Sequence, residues 1–285
     1  MSFTYLQPVE IDETLELLAR YGEDARLLAG GAALVLLIRQ KLLAPQALIS
    51  LEGVQALRYS QVEAEGLHLG ATNRLSAVAA DEQVLRRFPA LAQACGVVGN
   101  VRVRNQATLG GNLAEADYAS DPPAVLCALQ AVVTATSSRG ARQIPLSEFF
   151  RGFYTTALQP DELLSDIFVP GLPPGARTVY LKYKSRSSED RPCVGVAAVG
   201  VLQDGICQDL RVAVGAACEI PFRSPDVERQ AQGQALSDEL IGEVARSYAA
   251  GIEPLEDLRG SAWYRRQMVQ VFVRRALEEV RSGDR

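Results

Sequence analysis

Apolar residues at Ile11, Leu15 and Leu18 fall on one helix face, after a stop at Pro8 and before Gly22. A short helix is expected there, with Asp12 at its N-cap and Gly22 closing its far end. The pattern then changes period. Residues 26–29 and 47–51 read as short strands and 32–43 as a helix apolar on most sides, with Gly30 and Gly31 at the turn between strand and helix. Such a strand-turn-helix-strand unit places the glycine pair where a helix begins. Further on, 67–71 has the composition of a strand. Thr72 is positioned to cap a helix reaching residue 80, and a longer helix follows with Pro89 near its first turn and Leu91, Ala94 and Cys95 on one face. Val101-Arg102-Val103-Arg104 alternates, which suits an extended approach to a second glycine pair, Gly110-Gly111. Asp121 before Pro122-Pro123 and the apolar run 124–131 has the pattern of an N-cap with proline at the first helical position.

The remainder follows the same logic. Residues 132–136 and 142–144 flank Arg139-Gly140 as a hairpin, and 163–169 reads as one more strand. Prolines and glycines crowd residues 170–175, where a boundary is expected. Beyond it come strands at 178–183, 194–202 and 210–214, the last two joined across an Asp204-Gly205 turn, and helices near 237–250 and 262–280. The final helix sets Tyr264, Met268, Val271, Phe272 and Ala276 on one face, so Met268 and Phe272 are read as core.

Composition narrows the class. The chain has 285 residues, 48% of them hydrophobic and 22% charged, enough for one large domain or two ordinary ones. A net charge of -5 argues against a nucleic-acid or anionic-membrane surface. Neither a signal-peptide pattern at the N-terminus nor an apolar run long enough for a membrane span is evident, so a cytoplasmic protein is expected. Five cysteines form no CxxC pair, which points away from a disulfide framework and from a metal or iron-sulfur site in this chain. His68 is the only histidine, leaving no material for a multi-histidine metal site and little for a histidine-based catalytic system. Whatever chemistry occurs, a cofactor is expected to supply it.

The two glycine pairs are the candidate cofactor site. Glycine has no Cβ, so backbone amides stay open to an anionic group, and Thr108 and Asn112 add polar flanks to the second pair. Gly-Gly is also common in ordinary turns, and neither pair has the GxGxxG spacing of a Rossmann fingerprint.

Together the motifs resemble the FAD-binding medium subunit of the molybdenum hydroxylases, the group of xanthine dehydrogenase, carbon monoxide dehydrogenase and related aldehyde dehydrogenases. The resemblance rests on Phe3-x-Tyr5-x-x-Pro8, Leu28-Ala29-Gly30-Gly31, Arg104-Asn105-x-Ala107-Thr108-Leu109-Gly110-Gly111-Asn112 and Ser120-Asp121. It continues through Lys182 ahead of Ser185-Arg186, Pro221-x-Arg223 and Asp257-Leu258-Arg259-Gly260-Ser261-x-x-Tyr264-Arg265. It implies an α+β fold in which two subdomains of the vanillyl-alcohol-oxidase type, about 1–55 and 56–172, hold FAD, and a C-terminal α+β domain at 173–285 has a small antiparallel sheet and helices. The residues it assigns to FAD are Leu28, Ala29, Gly30, Gly31, Ala32, Ala33 and Leu34, then Val103, Ala107, Thr108, Gly111, Asn112, Ala114, Ser120, Asp121, Leu164 and Lys182. None is assigned a catalytic or metal-binding role. The partners it implies are a large subunit with the molybdopterin cofactor and a small subunit with two [2Fe-2S] clusters, as a dimer of heterotrimers. Electrons would pass from the clusters through FAD to an external acceptor.

Several assignments keep a second reading. Asp121 accepts from FAD or simply caps a helix; Lys182 offsets charge on the flavin or is a solvated strand residue. Tyr118 shields the ring or lies on the surface. Arg104 is read as bracing the glycine loop, and Arg223 and Arg265 as interface or intramolecular ion-pair residues. One departure stands out: Ala32-Ala33 follow the first glycine pair where many relatives carry polar residues. The backbone amides remain, but side-chain hydrogen bonds each worth about 0.5–1.5 kcal/mol are missing there. Two alternatives therefore stay open, a self-sufficient flavin oxidoreductase and an assembly subunit that has lost FAD.

Overall fold

The computed structural model describes residues 3–185, 187 and 189–283. Strands β1 (Thr4–Leu6), β2 (Ala25–Leu28) and β3 (Ala47–Ser50) form a parallel sheet with β3 in the middle. Parallel neighbours need crossovers, here α1 (Ile11–Tyr21) and α2 (Leu34–Arg39). Leu15 and Leu18 of α1 are buried in a small core with Ile49, Leu51, Val54, Leu57 and Leu163. Gly22 closes α1 with φ +53, as expected. Asp12 does not cap it: Glu10 is the N-cap residue, without a side-chain cap bond, and Asp12 lies in the first turn. Nor does α2 fill 32–43. Ala32 and Ala33 form a turn, Lys41 takes a positive φ beyond the end, and no residue of α2 is buried.

The second sheet contains β4 (Ser60–Val62) and β5 (Gly66–Gly70), followed by a helical excursion of α3 (Leu75–Ala80), α4 (Glu82–Arg87), α5 (Pro89–Gly96), α6 (Val101–Arg104), α7 (Leu109–Glu115) and α8 (Pro122–Ala128). The chain returns through β6 (Val132–Ser137) and β7 (Gly140–Pro145), then α9 (Leu146–Phe149) and a small hairpin, β8 (Phe150–Gly152) with β9 (Thr155–Thr156). Strand β10 (Leu163–Pro170) completes the antiparallel order β4-β5-β10-β6-β7. Two local expectations fail here. Thr72 does not cap α3, whose N-cap residue is Arg74; the Thr72 hydroxyl donates instead to the Leu57 carbonyl. Residues 101–104 are helical, because the Asn100 side chain accepts the Val103 N–H and starts a turn that outweighs the alternation.

The third sheet is antiparallel: β11 (Arg177–Tyr183), β12 (Val194–Gln203), β13 (Ile206–Gly215) and β14 (Phe222–Arg223), backed by α10 (Pro225–Ala231), α11 (Asp238–Gly251) and α12 (Ala262–Ser282). Strand β13 begins four residues earlier than its apolar run because the Asp204-Gly205 turn pairs Gln203 with Ile206. On α12 the fully buried stripe is Arg265, Val269, Val273, Ala276, Leu277 and Val280. Tyr264, Met268 and Phe272 lie one position round the helix, half-buried against that core. Burying each of the valine and leucine side chains on the stripe contributes about 1.5–3 kcal/mol. The architecture is α+β, and among the described residues no helix is long and apolar enough to cross a membrane.

Candidate functional site

Both glycine segments lie side by side. Where β2 ends, the chain turns at Gly30, whose missing Cβ would stand 1.9 Å from the Gln106 carbonyl oxygen. Only glycine permits that approach. Gly31 adopts φ +71, a second requirement for glycine. Among the described residues, no acceptor takes the N–H groups of Gly30, Gly31, Ala32, Ala33 or Leu34. The stretch is half-buried to exposed, and its five successive amides lie in a segment without polar side chains. Leu28 and Ala29, which lead into it, are half-buried.

The second pair differs. Gly110 and Gly111 are not a turn but part of the first turn of α7, with Thr108 as N-cap. Every amide here already has an acceptor: Leu109 donates to Asn73 O (2.8 Å), Gly110 to Ala71 O (2.9 Å), Gly111 to Thr108 Oγ1 (3.1 Å) and Asn112 to Thr108 O (2.9 Å). A Cβ on Gly110 would stand 2.6 Å from that of Ala71, so this glycine permits close packing. Gly111 is exposed, and its open face meets the Ala29 methyl. Asn112 Oδ1 accepts from Ser120 Oγ at 2.9 Å, and Ala114 is exposed two residues further along. Ala107 gives its carbonyl to Leu75 N–H, while Val103 packs beneath Gly99. Leu164 is buried in the central core, just before a bulge in β10.

Asp121 and Lys182 sit together. Asp121 is the residue at the N-cap of α8, but its side chain caps nothing. Its carboxylate accepts from Tyr180 OH at 2.6 Å and from Lys182 Nζ at 2.9 Å, and Lys182 also donates to the Val97 carbonyl at 2.9 Å. Both partners are about 95% buried or more, so Lys182 is no solvated strand residue. Burial pushes the Asp121 carboxyl above the usual carboxylate range, against the pull of Lys182 and the Tyr180 hydroxyl. Removing one member of a buried pair of this kind costs about 3–5 kcal/mol, because the other is left uncompensated. Val97 also borders a cleft of about 410 Å³ lined by Gly99, Asn100, Val101, Arg104, Lys184 and Glu189.

Tyr118 is fastened rather than free on the surface. Its hydroxyl donates to Asp257 Oδ2 at 2.8 Å and accepts from Arg259 at 3.1 Å, and its ring meets Phe153 edge-on. Arg265, fully buried, donates to Asp257 and to the Ala216 carbonyl. Burial alone would raise the Asp257 carboxyl, but the Arg259 amide, the Tyr118 hydroxyl and Arg265 outweigh it and hold it down at about 2. Arg223 pairs with Glu228 and reaches the Cys127 carbonyl, so both Arg223 and Arg265 form intramolecular ion pairs. Arg104 braces the Val98 and Gly99 carbonyls. Arg186 of the sequence motif lies outside the described residues. Tyr180 and Val97 carry no sequence signal for their roles, whereas Asp257 and Arg259 stand in a motif already recognised.

Residues 1–172 match the FAD-binding domain of molybdopterin dehydrogenases, and residues 179–280 match the C-terminal domain of the carbon monoxide dehydrogenase flavoprotein. The chain belongs to the molybdopterin dehydrogenase flavoproteins. It is 33% identical to the glyceraldehyde dehydrogenase medium chain of Sulfolobus acidocaldarius over 98% of both chains. Among solved structures, carbon monoxide dehydrogenase from Hydrogenophaga pseudoflava, in a form lacking the Mo-pyranopterin moiety, superposes with a TM-score of 0.95 at 31% identity, covering 99% of this chain and 98% of that one. Quinoline 2-oxidoreductase from Pseudomonas putida 86 gives 0.93 at 29%, with 99% and 98% covered. As an FAD-dependent oxidoreductase subunit, this flavoprotein has a donor set suited to its cofactor. Five open amides, two of them on glycines, match the negative charge and the bulk of a dinucleotide diphosphate.

Proposed function

We propose that this flavoprotein is the electron-transfer subunit of a molybdenum hydroxylase complex. It takes electrons from the [2Fe-2S] clusters of a small partner subunit and passes them to an external acceptor, while a large partner subunit carries the molybdenum cofactor and the substrate. The assembly in this reading is a cytoplasmic dimer of heterotrimers. Residues 1–172 form the FAD domain, with subdomains of about 1–55 and 56–172, and residues 173–285 form the C-terminal domain.

The open amide run at Gly30 to Leu34 carries the reading. A row of unpaired N–H groups is costly unless water or a ligand accepts from it, and a diphosphate offers acceptors in a row. Leu28 to Leu34 then hold the diphosphate from one side. Gly111, Asn112 and Ala114, with Val103, Ala107 and Thr108 behind them, border it on the other. Ser120 orients Asn112, while the buried pair of Asp121 and Lys182 positions the Val97 carbonyl at the cleft. Leu164 contributes from the bulge of β10. Bound FAD supplies a junction between one-electron and two-electron carriers.

Purification from the native host tests both halves of the proposal. The chain is expected to emerge with visible flavin absorption and with a large and a small subunit. A colourless chain that FAD cannot reconstitute, or one that migrates alone with full activity, would overturn it.

A further inference from the structure

One cation beside the cradle has no partner among the described residues. Thr72 and Asn73 are buried and fastened, the first to the Leu57 carbonyl at 2.8 Å and the second to the Tyr59 carbonyl, and Leu75 is fully buried. Arg74 alone in this segment is exposed. Its backbone forms an antiparallel bridge with Thr108, flanked by Leu75 N–H to Ala107 O at 2.9 Å and Leu109 N–H to Asn73 O at 2.8 Å. Those bonds make Arg74 and Thr108 a non-hydrogen-bonded pair, the arrangement that brings two side chains closest on one face. The Arg74 side chain therefore starts beside the hydroxyl that caps Gly111, and Gly111 in turn faces Ala29 at the entrance to the first turn. Among the described residues, no carboxylate or carbonyl engages its guanidinium. Arg104, by contrast, is committed to two carbonyls.

We propose that Arg74 binds the FAD diphosphate and supplies the charge that Ala32 and Ala33 do not. The inference rests on the cradle reading above. Neutral amides orient a diphosphate but leave its charge uncompensated, and a guanidinium offers paired donors matched to phosphate oxygens. A rigid base with a free side chain suits this task, since the backbone at Arg74 is held on both sides while the head group can reach outward.

Binding of FAD and of riboflavin to the full-length chain, each titrated at low and high salt, separates the possibilities. Riboflavin has the same ring system but no phosphate. R74Q is expected to weaken FAD about 10-fold or more, equivalent to about 1.4 kcal/mol or more, and to leave riboflavin unchanged. R74K should fall between, and the salt dependence of FAD binding should flatten in R74Q. Unchanged FAD affinity in R74Q, or equal losses for both ligands, would overturn the role of Arg74 while leaving the cradle intact. If the unsubstituted chain binds FAD no tighter than riboflavin, the cradle reading itself fails. An unchanged melting temperature in R74Q shows that the fold is not the cause.

Discussion

The two glycine pairs share a sequence signature and differ in what the fold does with it. Gly30-Gly31 lies in an open turn whose amides have no acceptor among the described residues, whereas the amides of Gly110 and Gly111 are all spent on Ala71 and Thr108. The first pair presents hydrogen bonds. The second permits contact between segments, for Gly110 lets α7 settle onto Ala71 and Gly111 leaves room against Ala29. A glycine thus serves a cofactor in two ways, by exposing backbone or by letting two pieces of backbone approach, and sequence alone does not say which.

Substitutions at the two pairs should separate these jobs. The largest effect is expected for Gly30→Ala, because the new methyl meets the Gln106 carbonyl backbone and forces the two segments apart. FAD affinity should drop about 100-fold, or about 2.8 kcal/mol, while the far-ultraviolet circular dichroism stays native; retained affinity would mean the segments need not touch. Gly110→Ala should instead act on the fold, lowering stability by about 1–3 kcal/mol through overpacking, read as a shift in the denaturant midpoint of the apo chain. Thr108→Ala removes the cap of α7 and should cost about 1 kcal/mol in the same measurement. Ala32→Thr tests the first pair in the gaining direction. A hydroxyl beside the open amides should tighten FAD by about 0.5–1.5 kcal/mol, and no gain would indicate that the amides alone saturate the phosphate.

The smallest expected effect concerns Asp257, which fastens Tyr118. The Asp257 carboxyl is held below its unfolded value, so its contribution is present above about pH 4 and is lost as pH falls towards about 2. The side chain keeps 22% of its surface open to solvent, and screening there limits the contribution to about 1 kcal/mol. Acid unfolding curves of the chain and of Asp257→Asn should therefore converge at the acid end.

Much of the fold was legible from local pattern. The hairpin of β6 and β7 follows from alternating residues around Arg139-Gly140, and the β2-turn-α2-β3 unit from the change of period around Gly30. The errors share a cause, namely side-chain bonds and tertiary contacts that periodicity does not encode. Asn100 turned an alternating stretch into a helix, Leu57 claimed the hydroxyl of Thr72, and the weakly packed end of α2 shortened it. At the candidate site, the positions of the glycine pairs were legible but their division of labour was not. It depends on Ala71 and Asn73 in one segment and on Gln106 in another, far apart along the chain. Asp121 was readable as a cap position, yet its partners lie about 60 residues away, beyond any local rule.

That separation has a consequence for synthesis. Tyr118 and Asp121 belong to the N-terminal half, but the groups that satisfy them, Tyr180, Lys182, Asp257 and Arg259, are translated later. Chains fold from the N-terminus as they emerge, so the segment bordering the second glycine pair waits for its counter-charges until the last strands and the loop before α12 have left the ribosome. In the proposed reading, the pocket for FAD is then finished near the end of translation, and flavin loading is a late event in the life of the chain.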